Sequence, residues 1–435
     1  MGYFLYNLAS VFLFVLLIIP YSVYCLLSEK YKTTFQQRLG FMSKEFYNSL
    51  QDRKVVWLYA GSVGEVQLAA SLYEELRERF EDYHFLLSTS THSGLQMAGE
   101  KFPEEVQITL LPHDFFWIMR KLCRKIQPEA TVVVETNLWP NHVKYARRYG
   151  GSLLLINARF NQERLYDHFK IPGLLAETLK RFDLITLQRS EDYKKLNSYL
   201  EEDKLKITGN MKIDSLQAFQ GENDDNSLKE DLNFLGNNRL LVAGSTHAGE
   251  EKIVLKSFNK LKSRFSDLSL VIAPRQIERS EEIRDICREE GLKPILRTEL
   301  TDGPKIFEKD LNNLDNCVVI LDTLGELQTV YSLADAAFVG GSLVEVGGHN
   351  LLEPLVFKCP VLYGPHNEDF EEIAALIDKY EAGCEITNEE ELTEALSLVL
   401  DDTDRRRKVK NGAEKMLSEQ GGAMSKNIKF LNKWL

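Results

Sequence analysis

Short apolar runs bounded by turn residues alternate twice along this chain with stretches whose apolar positions recur at helical spacing. The first series predicts strands at 55–59, 84–88, 106–111, 130–134, 153–156, 184–187 and 205–208, with helices to about residue 80, over 93–102 and over 115–126. The second predicts strands at 240–243, 268–273, 318–321, 336–339, 361–363 and 384–386, with helices after Gly249, over 277–290 and from 389 onward. Strands alternating with helical patterns predict βαβ units and mainly parallel sheets. Between the series, residues 217–230 are rich in Asn, Asp, Glu, Ser and Gly and poor in apolar residues, the signature of a linker. The fold class is therefore α/β: two doubly wound halves facing a cleft, over 29–216 and 237–435, joined by a linker at 217–236.

Residues 1–28 stand outside this rhythm. They carry no charged side chain, and 4–27 is apolar except for Asn7, Ser10, Pro20 and Ser22. A membrane-crossing helix needs about 20 such residues. A cleaved signal peptide would want a basic start, which is missing here. Lys30, Lys32 and Arg38 follow the run, so the positive-inside rule predicts an inner-membrane anchor with the rest of the chain in the cytoplasm. Pro20 leaves open a segment that breaks and lies in one leaflet. Residues 31–50 then read as a polar helix along the membrane.

Composition narrows the function. With a net charge of -12, the protein as a whole is not a nucleic-acid binder held by bulk electrostatics, though local basic patches can still meet anionic partners. The six cysteines form no C-x-x-C pair or zinc-site spacing and read as reduced thiols.

Candidate chemistry lies at strand ends, where open α/β sheets bind ligands. The 55–59 strand leads through Gly61 to Ser62 and Glu65, which have capping-box spacing. By spacing alone Glu65 is a cap. Glu135 ends the fourth strand before a Trp-Pro turn, well placed for a cleft or simply for a helix start. In the second half, Thr323 and Glu326 repeat the capping spacing, and the free N–H groups of the helix they open suit a phosphate. Residues 340–348 contain four glycines, which let backbone approach a bulky anion. Asn350 reads as an N-cap with Glu353 three residues on, a carboxylate suited to a ribose diol or to the helix dipole. Arg275 opens a loop and has the fork for a phosphate. His247, His349 and His366 sit at loop-to-helix junctions, and Arg120, Lys121, Arg124 and Lys125 share one side of a helix that could meet anionic lipid.

Together, in order over nearly the whole chain, these motifs resemble the bacterial 3-deoxy-D-manno-octulosonic acid (Kdo) transferases that act on lipid A precursor. The matching stretches are the N-terminal anchor, 62–65, 135–141, 157–159, 209–212, 245–251, 274–275, 322–327, and 339–342 through 347–354 to 364–366. The resemblance implies a GT-B fold of two Rossmann-like domains, an acceptor-binding N-terminal half and a CMP-Kdo-binding C-terminal half. It implies inversion at the anomeric carbon, no metal cofactor and the cytoplasmic face of the inner membrane. Glu65 matches the general base. Ser62, Gly64, Glu135, Asn141 and Arg159 fall on the acceptor side. On the donor side, Ser245, Thr246, Pro274 and Arg275 precede Leu324, Gly325 and Glu326. Gly341, Ser342, Gly348, His349 and Asn350 complete that side, with Glu353 as the ribose-binding carboxylate.

The chain departs from the family pattern at four places. Asn137 replaces an expected acid, Gln276 an expected His and Leu351 a common Pro, and 344–346 is a variable turn. The first bears on the acceptor side and the second on one phosphate donor.

Overall fold

The computed structural model describes residues 1–32, 34–160, 171, 173–222, 239–301 and 316–435. It forms two compact units, Met1–Ser215 together with Gly421–Leu435, and Leu216–Gln420.

In the first unit the strands are β1 (Lys54–Tyr59), β2 (Tyr83–Thr89), β3 (Gln107–Leu110), β4 (Ala130–Val134), β5 (Ser152–Ala158), β6 (Leu184–Leu187) and β7 (Leu205–Ile207). They form one sheet in the order β3-β2-β1-β4-β5-β6-β7, all parallel. Successive residues of a strand point to opposite faces. Val55, Trp57 and Tyr59 accordingly pack with Met119, Leu122 and Val143 on one face. Val56, Leu58 and Ala60 pack with Leu68 and Leu72 on the other.

The second unit holds β8 (Arg239–Thr246), β9 (Leu268–Pro274), β10 (Lys293–Leu296), β11 (Cys317–Ile320), β12 (Ala336–Val339), β13 (Val361–Tyr363) and β14 (Gly383–Glu385). These also form one parallel sheet, ordered β10-β11-β9-β8-β12-β13-β14. The sequence pattern does not announce β10. It is four residues long, contains Pro294 and lies at the sheet edge, where a missing N–H is tolerated.

Three expectations are corrected. The final helix, Ala423–Leu431, belongs to the first unit, not to the second half where residues to 435 were placed. Met424, Ile428 and Leu431 cover the Val56/Leu58 face of the sheet, each worth roughly 1.5–3 kcal/mol of burial. Asn427 accepts from Thr186 at 2.5 Å, and Asp214 takes the N–H groups of Gly422 and Met424, both at 2.6 Å. The expected linker begins later than residue 217, because a helix runs over Met211–Glu222. The rest of it, from 223, lies outside the described residues. Residues 31–50 form no single helix. Short helices stand at Glu29–Lys32, Phe35–Arg38 and Lys44–Leu50, the last two separated by a turn at Gly40, whose φ is 78°.

The apolar start forms one helix, α1 (Gly2–Leu27), long and apolar enough to cross a membrane. Pro20 lies within it without ending it.

Candidate active site

Each sheet reverses its winding once, between β1 and β4 in the first unit and between β8 and β12 in the second. Crevices for ligands open at the carboxyl ends of strands at such points. The predicted chemistry sits there: Glu65 follows β1 and Glu135 follows β4, while residues 245–250 close β8 and the glycines of 340–341 follow β12.

Glu65 lies in the first turn of the helix Val63–Arg77. Its N–H donates to Ser62 Oγ at 3.3 Å, so the cap exists as read from the spacing. The carboxylate is not spent on the N-cap amide, however. Oε2 accepts from the Gly61 N–H at 2.6 Å and Oε1 from Ser62 Oγ at 3.1 Å. A Cβ at Gly61 would lie 1.9 Å from Asn137 Nδ2, so any side chain there would have to displace the Asn137 amide. Asn137, the departure from the family pattern, therefore packs against the turn that holds Glu65. Gly64, in the same helical turn, has open space where a side chain would project.

Glu65 is 8% exposed, and burial pushes its carboxyl up to about 7, helped by the neighbouring charge of Glu135. The Gly61 and Ser62 hydrogen bonds and the Lys212 ammonium pull the other way. A helix N-terminus favours the ionised form of a carboxyl in its first turn. Desolvation outweighs that effect and leaves the carboxyl half-ionised near neutral pH.

Glu135 has φ 59° and Asn157, at the end of β5, has φ 54°. Left-handed backbone at non-glycine residues costs energy and collects at functional sites. Here it turns Glu135 so that Oε1 meets Lys212 Nζ at 2.7 Å and Asn157 Nδ2 at 3.4 Å. Asn157 Oδ1 in turn accepts from the Met211 N–H at 2.9 Å, locking the start of the helix that carries Lys212. Glu65, Glu135 and Lys212 thus form one coupled cluster. Sequence reasoning gave Lys212 no role, although it closes the 209–212 match. Arg159 touches the group through its backbone, where its carbonyl accepts from Thr136 Oγ1 at 2.6 Å.

Asn141, expected on the acceptor side, is fully buried. Its N–H donates to Asp114 Oδ2 at 2.8 Å and its Nδ2 to the Asp114 carbonyl at 2.7 Å. It is a structural residue of the helix start at Pro140. Asp114, which the sequence did not single out, also accepts from the His142 N–H at 2.7 Å.

In the second unit the organiser is Glu250, buried and overlooked by the sequence reading. Its Oε2 accepts from the N–H groups of His247 and Gly341, both at 2.8 Å. Its Oε1 accepts from Ser342 at 3.0 Å and Leu343 at 2.9 Å. A Cβ at Gly340 would lie 2.7 Å from Oε2, so only glycine fits the turn. This corrects a specific expectation. The loop amides at 341–342, expected on the donor side, are aimed at an internal carboxylate. Ser342 Oγ is also committed, donating to the Val339 carbonyl at 2.6 Å and accepting from the Gly364 N–H at 2.8 Å.

Other donor-side residues do come together. Ser245 has φ 56° at a register shift in β8, and the Thr246 carbonyl accepts from the Arg275 N–H at 3.0 Å. His247 and His349 stack with ring centroids 5.1 Å apart, their Nε2 atoms 2.8 Å apart. Burial, then the Arg275 and His247 charges, push His349 down to about 4, so it is neutral at physiological pH. Arg275 is exposed. Burial raises the Glu353 carboxyl, opposed by Asn350 and by Arg275. Arg275, His349 and Glu353 are therefore electrostatic neighbours. Pro274, as the last residue of β9, sets the start of the Arg275 loop, and the Gly348 N–H donates to the Gly341 carbonyl at 2.8 Å, joining the two glycine turns.

Two predicted caps are absent as caps. The helix after Asn350 starts at Leu352, and Asn350 Oδ1 accepts from the Leu352 N–H at 3.2 Å while its Nδ2 donates to Glu353 at 3.3 Å. The helix after Thr323 starts at Leu327 with no side-chain cap. Thr323 bonds Glu326 directly, and Glu326 also pairs with Arg297 at 3.1 Å. Gly325 has φ 87°, and Leu324 is 80% exposed.

Two doubly wound parallel units, each with its polar cluster at the switch point, define a GT-B-type enzyme. Likeness to solved structures agrees. A UDP-GlcNAc 2-epimerase from Neisseria meningitidis superposes with a TM-score of 0.62 at 16% identity, over 87% of this chain and 100% of that one. A glycosyltransferase from Rickettsia africae gives 0.56 at 10% identity, over 88% and 99%. At such identities the shared feature is the fold. The family model for 3-deoxy-D-manno-octulosonic-acid transferase (kdotransferase) matches residues 33–215. The 3-deoxy-D-manno-octulosonic acid transferase of Haemophilus influenzae is 30% identical over 413 residues, 94% of this chain and 93% of that one. The chain belongs to the Kdo transferase family and is a glycosyltransferase.

Proposed function

We propose that this enzyme moves Kdo from CMP-Kdo to a lipid A precursor, lipid IVA, with inversion at the anomeric carbon. In this reading the first unit binds the acceptor and Glu65 takes the proton from its attacking hydroxyl. The observation that carries the proposal is the Glu65 carboxyl itself: buried at the switch point, hydrogen-bonded in place and with a pKa near the operating pH, as an efficient general base requires. Lys212 and Glu135 tune it, one favouring and one opposing its charge.

The second unit binds the nucleotide. Loss of CMP needs fixed donors for its phosphate. Arg275 and the His247/His349 pair are the side chains assigned to that task, with the backbone at Gly325–Glu326. Ser245 and Thr246 line the same strand end, and Glu353 holds the ribose. Gly341, Ser342 and Gly348 shape the loop instead of donating to phosphate. The reaction needs no metal, since its charge is held by protein donors. The enzyme works on the cytoplasmic face of the inner membrane, with α1 in the bilayer.

The test is incubation with CMP-Kdo and tetra-acylated lipid A precursor, with and without EDTA, followed by mass spectrometry. Kdo addition in both arms is expected. Acceptor left unmodified overturns the assignment, as does tighter binding of UDP than CMP in calorimetry. Loss of product with EDTA alone overturns metal independence.

The pH profile carries a second expectation. A base must be ionised, so kcat/KM falls tenfold per pH unit below about 7, the value for Glu65. In Lys212→Met the acid limb moves to higher pH, because the ammonium that favours the anion is gone. A limb at ordinary carboxylate pH in the unaltered enzyme would remove Glu65 from the base role.

A further inference from the structure

The helix α1 is not a free rod attached to the first unit by one end. Its non-exposed residues, among them Tyr3, Asn7, Ser10, Phe14, Tyr21 and Cys25, recur at helical spacing along its whole length. They form one stripe, and that stripe is docked. A Cβ on Gly2 would stand 3.0 Å from the Leu174 backbone. Tyr3 Oη donates to the Pro140 carbonyl at 3.0 Å, and Tyr6 Oη donates to Asp114 Oδ2 at 2.9 Å. Asn7 Oδ1 accepts from Asn141 Nδ2 at 2.8 Å. Further along, the Phe14 ring meets Phe115 and Trp117 edge-on at 4.9 and 5.3 Å, and Tyr21 Oη lies 2.8 Å from His113 Nε2. The opposite stripe is bare. Phe4, Leu8, Phe12, Val15, Ile19 and Val23 are each between 52% and 73% exposed.

These fixed points run from residue 2 to residue 21, roughly 28 Å at about 1.5 Å per residue. That is close to the whole hydrocarbon thickness of a bilayer, about 30 Å. A helix crossing the membrane in this docked state would carry Asp114, Asn141 and His113 to bilayer depth. It would also carry Lys144 and Arg181, whose charged groups lie 5.0 and 4.9 Å from the Tyr3 ring centroid. Polar and ionisable groups taken below the head groups are costly, increasingly so toward the bilayer centre. Crossing in the undocked state would instead break every contact above and strip polar groups of their partners.

We propose that α1 lies in the plane of the membrane as a built-in part of the first unit. Its bare stripe enters the cytoplasmic leaflet, and both of its ends stay on the cytoplasmic side. The occupant is the leaflet of an anionic phospholipid bilayer. The apolar stripe suits the acyl region, and Lys144 and Arg181 beside the helix start suit phosphate head groups. The placement rests on the membrane reading of α1 made above and does not depend on which sugar is transferred.

The test is topological and uses the full chain with a short epitope tag at each end. Sealed membrane vesicles are prepared right-side-out and inside-out and treated with protease. Both tags are expected to be lost from inside-out vesicles and both protected in right-side-out ones. Cleavage of the N-terminal tag alone in right-side-out vesicles means a spanning helix and overturns the proposal. Recovery of the chain outside the membrane fraction overturns the membrane reading on which it rests. Neither result touches Kdo transfer, which is assayed separately on detergent-dispersed acceptor.

Discussion

Glu65→Gln is expected to lower kcat by about 10²–10⁴-fold, the usual contribution of a positioned general base, while calorimetric binding of CMP is unchanged. Gln is close to isosteric and can still accept from the Gly61 N–H, so the turn survives. The same substitution has an opposite effect on stability. The folded-state pKa of Glu65 is raised, from 4.5 to about 7. Protonation therefore favours the folded state, and the stability it confers is present below the unfolded value and lost as pH rises through about 7. At pH 8 the ionised carboxylate burdens the fold by up to about 3 kcal/mol. Glu65→Gln is expected to recover part of that at pH 8 and nothing at pH 4, in urea unfolding followed at both pH values. A variant that is inactive and less stable at pH 8 would mean Glu65 serves the fold instead of the reaction. Near-normal turnover would end the base assignment outright.

The second large effect is expected at Glu250. Four backbone N–H groups converge on its carboxylate, those of Gly341 and Ser342 buried and those of His247 and Leu343 part-buried. Each buried donor left without a partner costs about 1–3 kcal/mol. Glu250→Ala is therefore expected to lower the stability of the second unit by roughly 4 kcal/mol or more, read as a loss in denaturant midpoint, and to abolish CMP binding because residues 341–343 lose their template. Glu250→Gln separates charge from shape: its oxygen can serve two of the amides, while its NH₂ faces the other two. An intermediate loss is expected. If Glu250→Ala unfolded at the same midpoint as the unaltered protein, the carboxylate would not be the organiser of this loop.

The two sheets were readable because a parallel strand buried on both faces writes a continuous apolar run, as in Val132–Val134 or Val318–Leu321. β10 was not, because Pro294 at an edge interrupts that signal. Ser62 and Glu65 were legible as a cap, since capping is local and depends on spacing alone. Thr323/Glu326 and Asn350/Glu353 have similar spacing and do not cap, because Arg297 engages Glu326 and the Asn350 helix starts two residues later. Spacing states an offer of a hydrogen bond, and tertiary partners decide whether it is taken. The same limit hid Glu250. Its partners at 341–343 are about 90 residues away in sequence, and nothing local distinguishes it from Glu251 beside it, which pairs with Arg279 at 2.7 Å. The glycine loop was read as room for a bulky bound anion, but its amides at 341–343 meet a carboxylate, that of Glu250. The anion is the protein's own.

The helix Ala423–Leu431 has a consequence for synthesis. It covers a face of the first sheet, yet it is translated after the entire second unit. At about 5–20 residues per second, the ribosome needs on the order of 10–40 s to get from the end of the first unit's main segment to this helix. During that interval the sheet face that carries Val56, Leu58 and Leu154 lacks this helix. The nascent first unit is then a partly open sheet while its neighbour folds, a natural client for chaperones. Separate expression of residues 1–215 is expected to give an aggregation-prone fragment that co-expressed residues 421–435 can rescue.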